Sequence, residues 1–121
     1  MIAGIGVDVV DLGRFERALM RTPALISRLF AQSEQQRDGV ELSFRSLAGR
    51  FAAKEALIKA IGDSTGVRWH DMSVVSDGHG SPSFAVNGSV AAIIAARGIR
   101  TLHLSMSHDA GIAIAYVIAE T

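Results

Sequence analysis

The chain contains no cysteine, which excludes disulfides, thiolate zinc sites and cysteine nucleophiles and fits a reducing compartment. No apolar run approaches the ~20 residues that cross a bilayer. Residues 1–10 carry no positive charge ahead of their apolar part and no cleavage signature, so no signal peptide is read there. Net charge is also missing, with 12 acidic residues against 12 basic ones. That balance argues against a general nucleic-acid binder, whose affinity comes from neutralising phosphates. Proline occurs twice, at Pro23 and Pro82, both at plausible element edges. At 121 residues there is room for one domain, 1–121, large enough to hide roughly two thirds of its unfolded surface without staples. The expectation is a cytoplasmic, single-domain protein with no membrane span.

The zero net charge hides a pattern. Only two of the 12 cations are lysines, Lys54 and Lys59. Residues 12–30 carry Arg14, Arg17, Arg21 and Arg28 against Glu16, and residues 45–59 carry Arg45, Arg50, Lys54 and Lys59 against Glu55. Each stretch is a local cationic surface inside a neutral chain, suited to anionic partners.

Residues 2–10 alternate Ile5, Val7 and Val9 with Gly4, Gly6 and Asp8, which predicts a strand. Glycine weakens a strand unless something approaches its backbone closely. Helical spacing covers 12–21, with Leu12, Phe15 and Leu19 inward and Arg14, Arg17 and Arg21 outward. Thr22-Pro23 reads as a cap and first-turn proline opening a helix to Phe30. The longest helix is read at 46–61, stopped by Gly62. Strands at 72–76 and 83–86 flank DGHGSP, a short helix spans 90–97, and 101–108 with 112–118 form a hairpin around Asp109-Ala110-Gly111. The class is α+β, with antiparallel strands around one long central helix.

On a helical wheel, residues 46–61 have a large apolar stripe (Leu47, Phe51, Leu57, Ile58, Ile61) and a small-residue face (Ala52, Ala53, Ala56, Ala60). Lys54 falls inside the large stripe, and Glu55 and Lys59 sit at its border. Snorkelling and a Glu55–Lys59 pair at i,i+4 would explain them without function. Asp8 is a similar anomaly in a Val/Ile-rich strand, explicable as a carboxylate paired to an arginine. Taken together, Asp8 and Glu55 are two hard oxygen donors of the kind that hold Mg²⁺ alongside phosphate oxygens. No His-x-x-x-His spacing supports zinc. Ser107, His108 and Asp109 make a poor triad, because neighbours on a strand point apart.

Four motifs carry a resemblance. GIGVDVVDLGRF (4–15), LAGRFAAKEALIKAIG (47–62), DGHGSP (77–82) and LHLSMSH (102–108), in this order, resemble the holo-[acyl-carrier-protein] synthase family, the small bacterial-type 4′-phosphopantetheinyl transferases. The resemblance implies transfer of the 4′-phosphopantetheine arm of coenzyme A to a serine of an apo acyl carrier protein, or of a carrier domain of a fatty acid synthase. Adenosine 3′,5′-bisphosphate would be released. It implies Mg²⁺ on Asp8 and Glu55, Lys54 and Lys59 near the coenzyme A phosphates, and Lys59 at the departing phosphate. It further implies Arg50, Ser107 and His108 near the 3′-phosphoadenosine, Gly80 to Pro82 as a nucleotide-flanking loop, and Gly62 as a point of close approach. Arg14 and Arg21 would dock the acidic carrier. A homotrimer with coenzyme A between subunits is implied as well, with the alanine face and the final hairpin available to it. A non-catalytic trimeric coenzyme A or nucleotide module that docks acidic proteins, and a phosphodiester hydrolase, are the alternatives.

Overall fold

The structure is a computed structural model describing residues 1–76 and 78–121; Asp77, the first residue of the DGHGSP motif, lies outside the described residues. Strand β1 (Ile2–Asp11) runs directly into helix α1 (Leu12–Arg21), followed by a short α2 (Ala24–Leu29) and a 3₁₀ turn at Gln32–Glu34. A two-residue hairpin, β2 (Gln36–Arg37) and β3 (Val40–Glu41), precedes the long α3 (Phe44–Ile61). A second 3₁₀ turn (Trp69–Asp71), β4 (Met72–Ser76), β5 (Pro82–Val86), α4 (Gly88–Ala96), β6 (Thr101–Asp109) and β7 (Ile112–Glu120) complete the chain. Strands β1, β7 and β6 form one antiparallel sheet in the order β1-β7-β6, while β4 and β5 pair separately.

Helix α3 lies on this sheet because the sequence clears a path for it. A Cβ on Gly6 would run into the carbonyl oxygen of Ala56, and one on Gly4 into that of Ala60. The β7 residues on the same face are Ala113, Ala115, Val117 and Ala119, all buried. The glycines of β1 therefore serve close approach by a helix backbone. On its other side α3 buries Leu47, Leu57 and Ile61 in a cluster with Leu19, Leu29, Phe30, Met72 and Val90. Truncating Leu57, which is fully buried, would cost about 2–5 kcal/mol.

The ends of the helices are set by local chemistry. Asp11 caps α1, its Oδ1 accepting from the Arg14 N–H at 2.8 Å, and Ser43 caps α3 through the Ser46 N–H. Helix α3 thus begins two residues earlier than the spacing predicts. Gly62 ends it in the left-handed region, φ 75°. Arg97 then bridges α3 to β1, donating from Nη1 to the Ile61 carbonyl at 2.5 Å and from Nη2 to that of Ala3 at 2.9 Å. Thr22 makes no cap for α2, which starts at Ala24 with no side-chain bond at its N-terminus. The β6–β7 turn forms as expected, with Ala110 and Gly111 both at positive φ.

The predicted trimer use of the alanine face does not hold, because Ala56 and Ala60 are consumed against β1 of the same chain. The apolar surface left over is the opposite face of the sheet. Ile5, Val7, Val9, Ile112 and Tyr116 are all exposed there. Among the described residues, no helix is long and apolar enough to cross a membrane.

Candidate active site

Asp8 is delivered to the α3 side of the sheet by the same alternation that places Gly4 and Gly6 there. Glu55 and Lys59 lie one helical turn apart on α3, and all three side chains line a cleft of about 420 Å³. Arg14 and Asp11 at the start of α1, and Phe15 and Phe51, complete its wall. The Phe15 and Phe51 rings stack at 5.5 Å between centroids, fixing the angle between α1 and α3 at the cleft.

Lys59 Nζ donates to Asp8 Oδ1 at 3.1 Å and to the Val7 carbonyl at 2.9 Å. The partner of Asp8 is therefore this lysine rather than an arginine, and Lys59 bonds across to the strand rather than to Glu55. Burial, then the nearby Asp8 charge, pushes the Glu55 carboxyl above its ordinary value, with Lys59 opposing. Two carboxylates that repel each other at one edge of an open cleft fit a divalent cation. Among the described residues no group of three or more His, Cys, Asp or Glu side chains could hold a metal. A two-carboxylate donor set suits Mg²⁺, which keeps waters and takes substrate phosphates as its remaining ligands.

A second cleft, about 320 Å³, gathers Arg50, Gly80, Pro82, Ser107 and His108. It also holds Arg37 and Arg45, which lie outside the four motifs. Arg45 belonged to the cationic stretch 45–59, but Arg37 sits on the β2–β3 hairpin, which has no periodicity to announce it. The Arg50 guanidinium is held below its ordinary value by burial and then by the Arg37 charge, with Glu34 opposing. Clustered like charges of this kind favour an anionic ligand. His108 pairs with Ala113 on the α3 side, whereas Ser107 pairs with Ile114 on the opposite face. Those two neighbours therefore reach this cleft from different sides of the strand.

The remaining candidates lie elsewhere. Lys54 is fully buried and has no outlet to either cleft. Its ammonium donates to the Leu29 carbonyl at 2.7 Å, Glu34 Oε1 at 2.9 Å and the Trp69 carbonyl at 3.1 Å. All three of its protons are used inside the protein, which corrects the expectation that it faces coenzyme A phosphates. Gly62 lines neither cleft; its residue type is explained by the helix cap and by Arg97 lying over it. Arg14 lines the carboxylate cleft, and Arg21 is exposed two turns further along α1.

Comparison with known proteins agrees with this geometry. The 4′-phosphopantetheinyl transferase superfamily profile matches residues 4–117. The chain is 60% identical over 120 residues to the holo-[acyl-carrier-protein] synthase of Clavibacter sepedonicus, covering 99% of this chain and 97% of that protein. Its fold is similar to the crystal structure of the Neisseria meningitidis holo-[acyl-carrier-protein] synthase, with TM-score 0.85, 32% identity and complete coverage of both chains. It is also similar to the Helicobacter pylori holo-[acyl-carrier-protein] synthase in complex with coenzyme A, with TM-score 0.80 and 29% identity over 96% of this chain and 99% of that one. Similarity at that level along its whole length, with the motif carboxylates converging in one cleft, establishes that the chain belongs to the holo-[acyl-carrier-protein] synthase family of the 4′-phosphopantetheinyl transferase superfamily.

Proposed function

We propose that this protein transfers the 4′-phosphopantetheine arm of coenzyme A to a serine of an apo acyl carrier protein, or of a carrier domain of a fatty acid synthase. The observation that carries the reading is the convergence of Asp8, Glu55 and Lys59 in one cleft with Arg14 at its wall. Asp8 and Glu55 would hold Mg²⁺, which when bound supplies positive charge to the coenzyme A pyrophosphate. Lys59 neutralises the phosphate that departs. Glu55 takes the proton of the attacking serine hydroxyl through a water. The bond formed joins the serine oxygen to the phosphorus carrying the pantetheine arm. The bond broken leaves adenosine 3′,5′-bisphosphate. Arg37, Arg45, Arg50 and His108 hold the nucleotide end, and Arg14 with Arg21 receives the acidic carrier.

We propose further that the working form is a homotrimer. The carboxylate cleft lies on the β1 edge of the sheet and the arginine cleft on the β6 edge, with β7 between them. An arrangement in which one subunit's β6 edge meets the next subunit's β1 edge would join the two clefts across each interface, and closed threefold symmetry repeats it without leaving a free end. The exposed row of Ile5, Val7, Val9 and Tyr116 would be covered in the process. We place the reaction in the cytoplasm, where a cysteine-free chain and coenzyme A meet.

The test is release of adenosine 3′,5′-bisphosphate from coenzyme A with and without apo carrier. Release that requires the carrier is the expected result. Release to water alone would make the protein a hydrolase, and binding without release would make it a coenzyme A module.

A further inference from the structure

Glu34 is among the few buried charged residues, 6% exposed, and it sits in the 3₁₀ turn after α2. One carboxylate oxygen, Oε1, accepts from Lys54 Nζ and from the Ala31 N–H, both at 2.9 Å. The ammonium of Lys54 needs nothing more from Glu34. It has the Leu29 and Trp69 carbonyls as well, and the Phe30 ring lies 5.0 Å beneath it. Oε2 of Glu34 is left over: it is buried with no hydrogen-bond partner among the described residues. A buried carboxylate oxygen without a donor is costly and calls for an explanation.

The only other buried side-chain atom in that state, among the described residues, is Nε of Arg50. Arg50 stands one helical turn before Lys54 on α3, so the two cations lie on the same side of the helix. Arg50 lines the cationic cleft, where Arg37 repels it and Glu34 attracts it. One orphan is an acceptor on an anion and the other is a donor on a cation. Arginine can give Nε to one carboxylate oxygen and keep its terminal nitrogens for a second anion.

We propose that Glu34 is a positioning residue for ligand binding: anchored through Oε1 by Lys54, it turns Oε2 to Arg50 Nε and so aims the Arg50 terminal nitrogens at a phosphate in the cleft. This rests on the reading that the cleft takes the nucleotide end of coenzyme A. It also gives Lys54 a use, since a fixed Glu34 needs a buried cation to hold it. Arg50 already feels the repulsion of Arg37, and a bound phosphate supplies the charge that draws the fork outward.

The experiment is a double-mutant cycle on coenzyme A affinity, read by calorimetry on the full chain, with Glu34→Gln, Arg50→Gln and both together. The amide introduced by Glu34→Gln keeps an oxygen for Lys54 but replaces the acceptor facing Arg50 with a donor. Glu34→Gln is expected to raise the coenzyme A Kd about tenfold, the scale of one charge-assisted hydrogen bond, while the carrier KM stays unchanged. In the Arg50→Gln background the same substitution should have no effect on Kd. Equal effects in both backgrounds, or a lowered Tm with no change in Kd, would show a purely structural role and overturn the proposal. Should the uncompensated Lys54 prevent folding, the pair Glu34→Gln with Lys54→Met is measured in its place and gives the same expected loss. Wild-type protein that binds no coenzyme A would instead overturn the reading of the cleft and the proposal with it.

Discussion

Lys59 on α3 reaches 3.1 Å to Asp8 on β1, so this lysine is seated on one of the two motif carboxylates, while the other, Glu55, has no ion pair among the described residues. The lysine side chain is 53% exposed. A pair so open to water adds little stability, and its value lies in where it holds the charge. The glycine contacts between β1 and α3 bring the two elements close enough for this reach. The same packing that folds the chain therefore brings Asp8, Glu55 and Lys59 into one cleft.

Removing either carboxylate should stop the reaction without unfolding the protein. Asp8→Ala and Glu55→Gln are each expected to abolish carrier modification, and thermal unfolding should show a folded variant. Near-normal turnover of either variant at limiting Mg²⁺ would contradict a two-carboxylate metal site.

Glu55 also makes a prediction about stability. Its carboxyl is raised from 4.5, first by burial and then by Asp8, so the folded state binds this proton more tightly than the unfolded chain does. Stability from this group is complete below the ordinary glutamate range and is lost as pH rises through the elevated value. At neutral pH and without metal, Glu55→Gln should therefore unfold at a higher temperature than the wild type. Below about pH 4, under the ordinary glutamate value, the difference should close. A variant that is less stable than the wild type at neutral pH in the presence of a chelator would contradict the account.

Much of this architecture is written in local pattern. The alternation of residues 2–10, the cap and stop of α3, and the Ala110-Gly111 turn each follow from backbone chemistry acting over a few residues. The glycines of β1 announce a close approach, but not whether a ligand or a helix makes it; only the register against Ala56 and Ala60 decides. Lys54 is legible as an anomaly in an apolar stripe, and its residue type invites a phosphate. Its true partner, Glu34, hides in a polar run, QSEQQ, that reads as solvated surface. The β2–β3 hairpin is too short for periodicity, which is why Arg37 escapes notice. The motif pair that carries Asp8 and Glu55 lies in regular elements, so the central carboxylates are the easiest part of the site to find.

The sheet face opposite α3 predicts assembly. Sedimentation equilibrium should give three times the chain mass of 12.8 kDa. Val7→Glu, directly beside Tyr116 on that face, should yield a folded monomer with little transferase activity. A fully active monomer would remove the shared-site arrangement.

Arg14 and Arg21 project from α1 while Phe15 and Leu19 are buried beneath. Rim charges of this type govern encounter rate more than chemistry. Substituting both arginines by alanine should lower kcat/KM for the carrier and flatten its salt dependence, with the coenzyme A KM unchanged. An unaltered salt slope would contradict carrier docking, and a raised coenzyme A KM would move these arginines to the nucleotide.

The central claim is that Asp8 and Glu55 together direct the phosphopantetheine arm onto a carrier serine. Intact mass spectrometry of an apo carrier protein, after incubation with this protein, coenzyme A and Mg²⁺, tests it most directly. The account predicts a gain of one phosphopantetheine per carrier, lost when the carrier serine is replaced by alanine and lost again with Asp8→Ala. A carrier of unchanged mass with the wild-type protein, or a gain that survives Asp8→Ala, would contradict it.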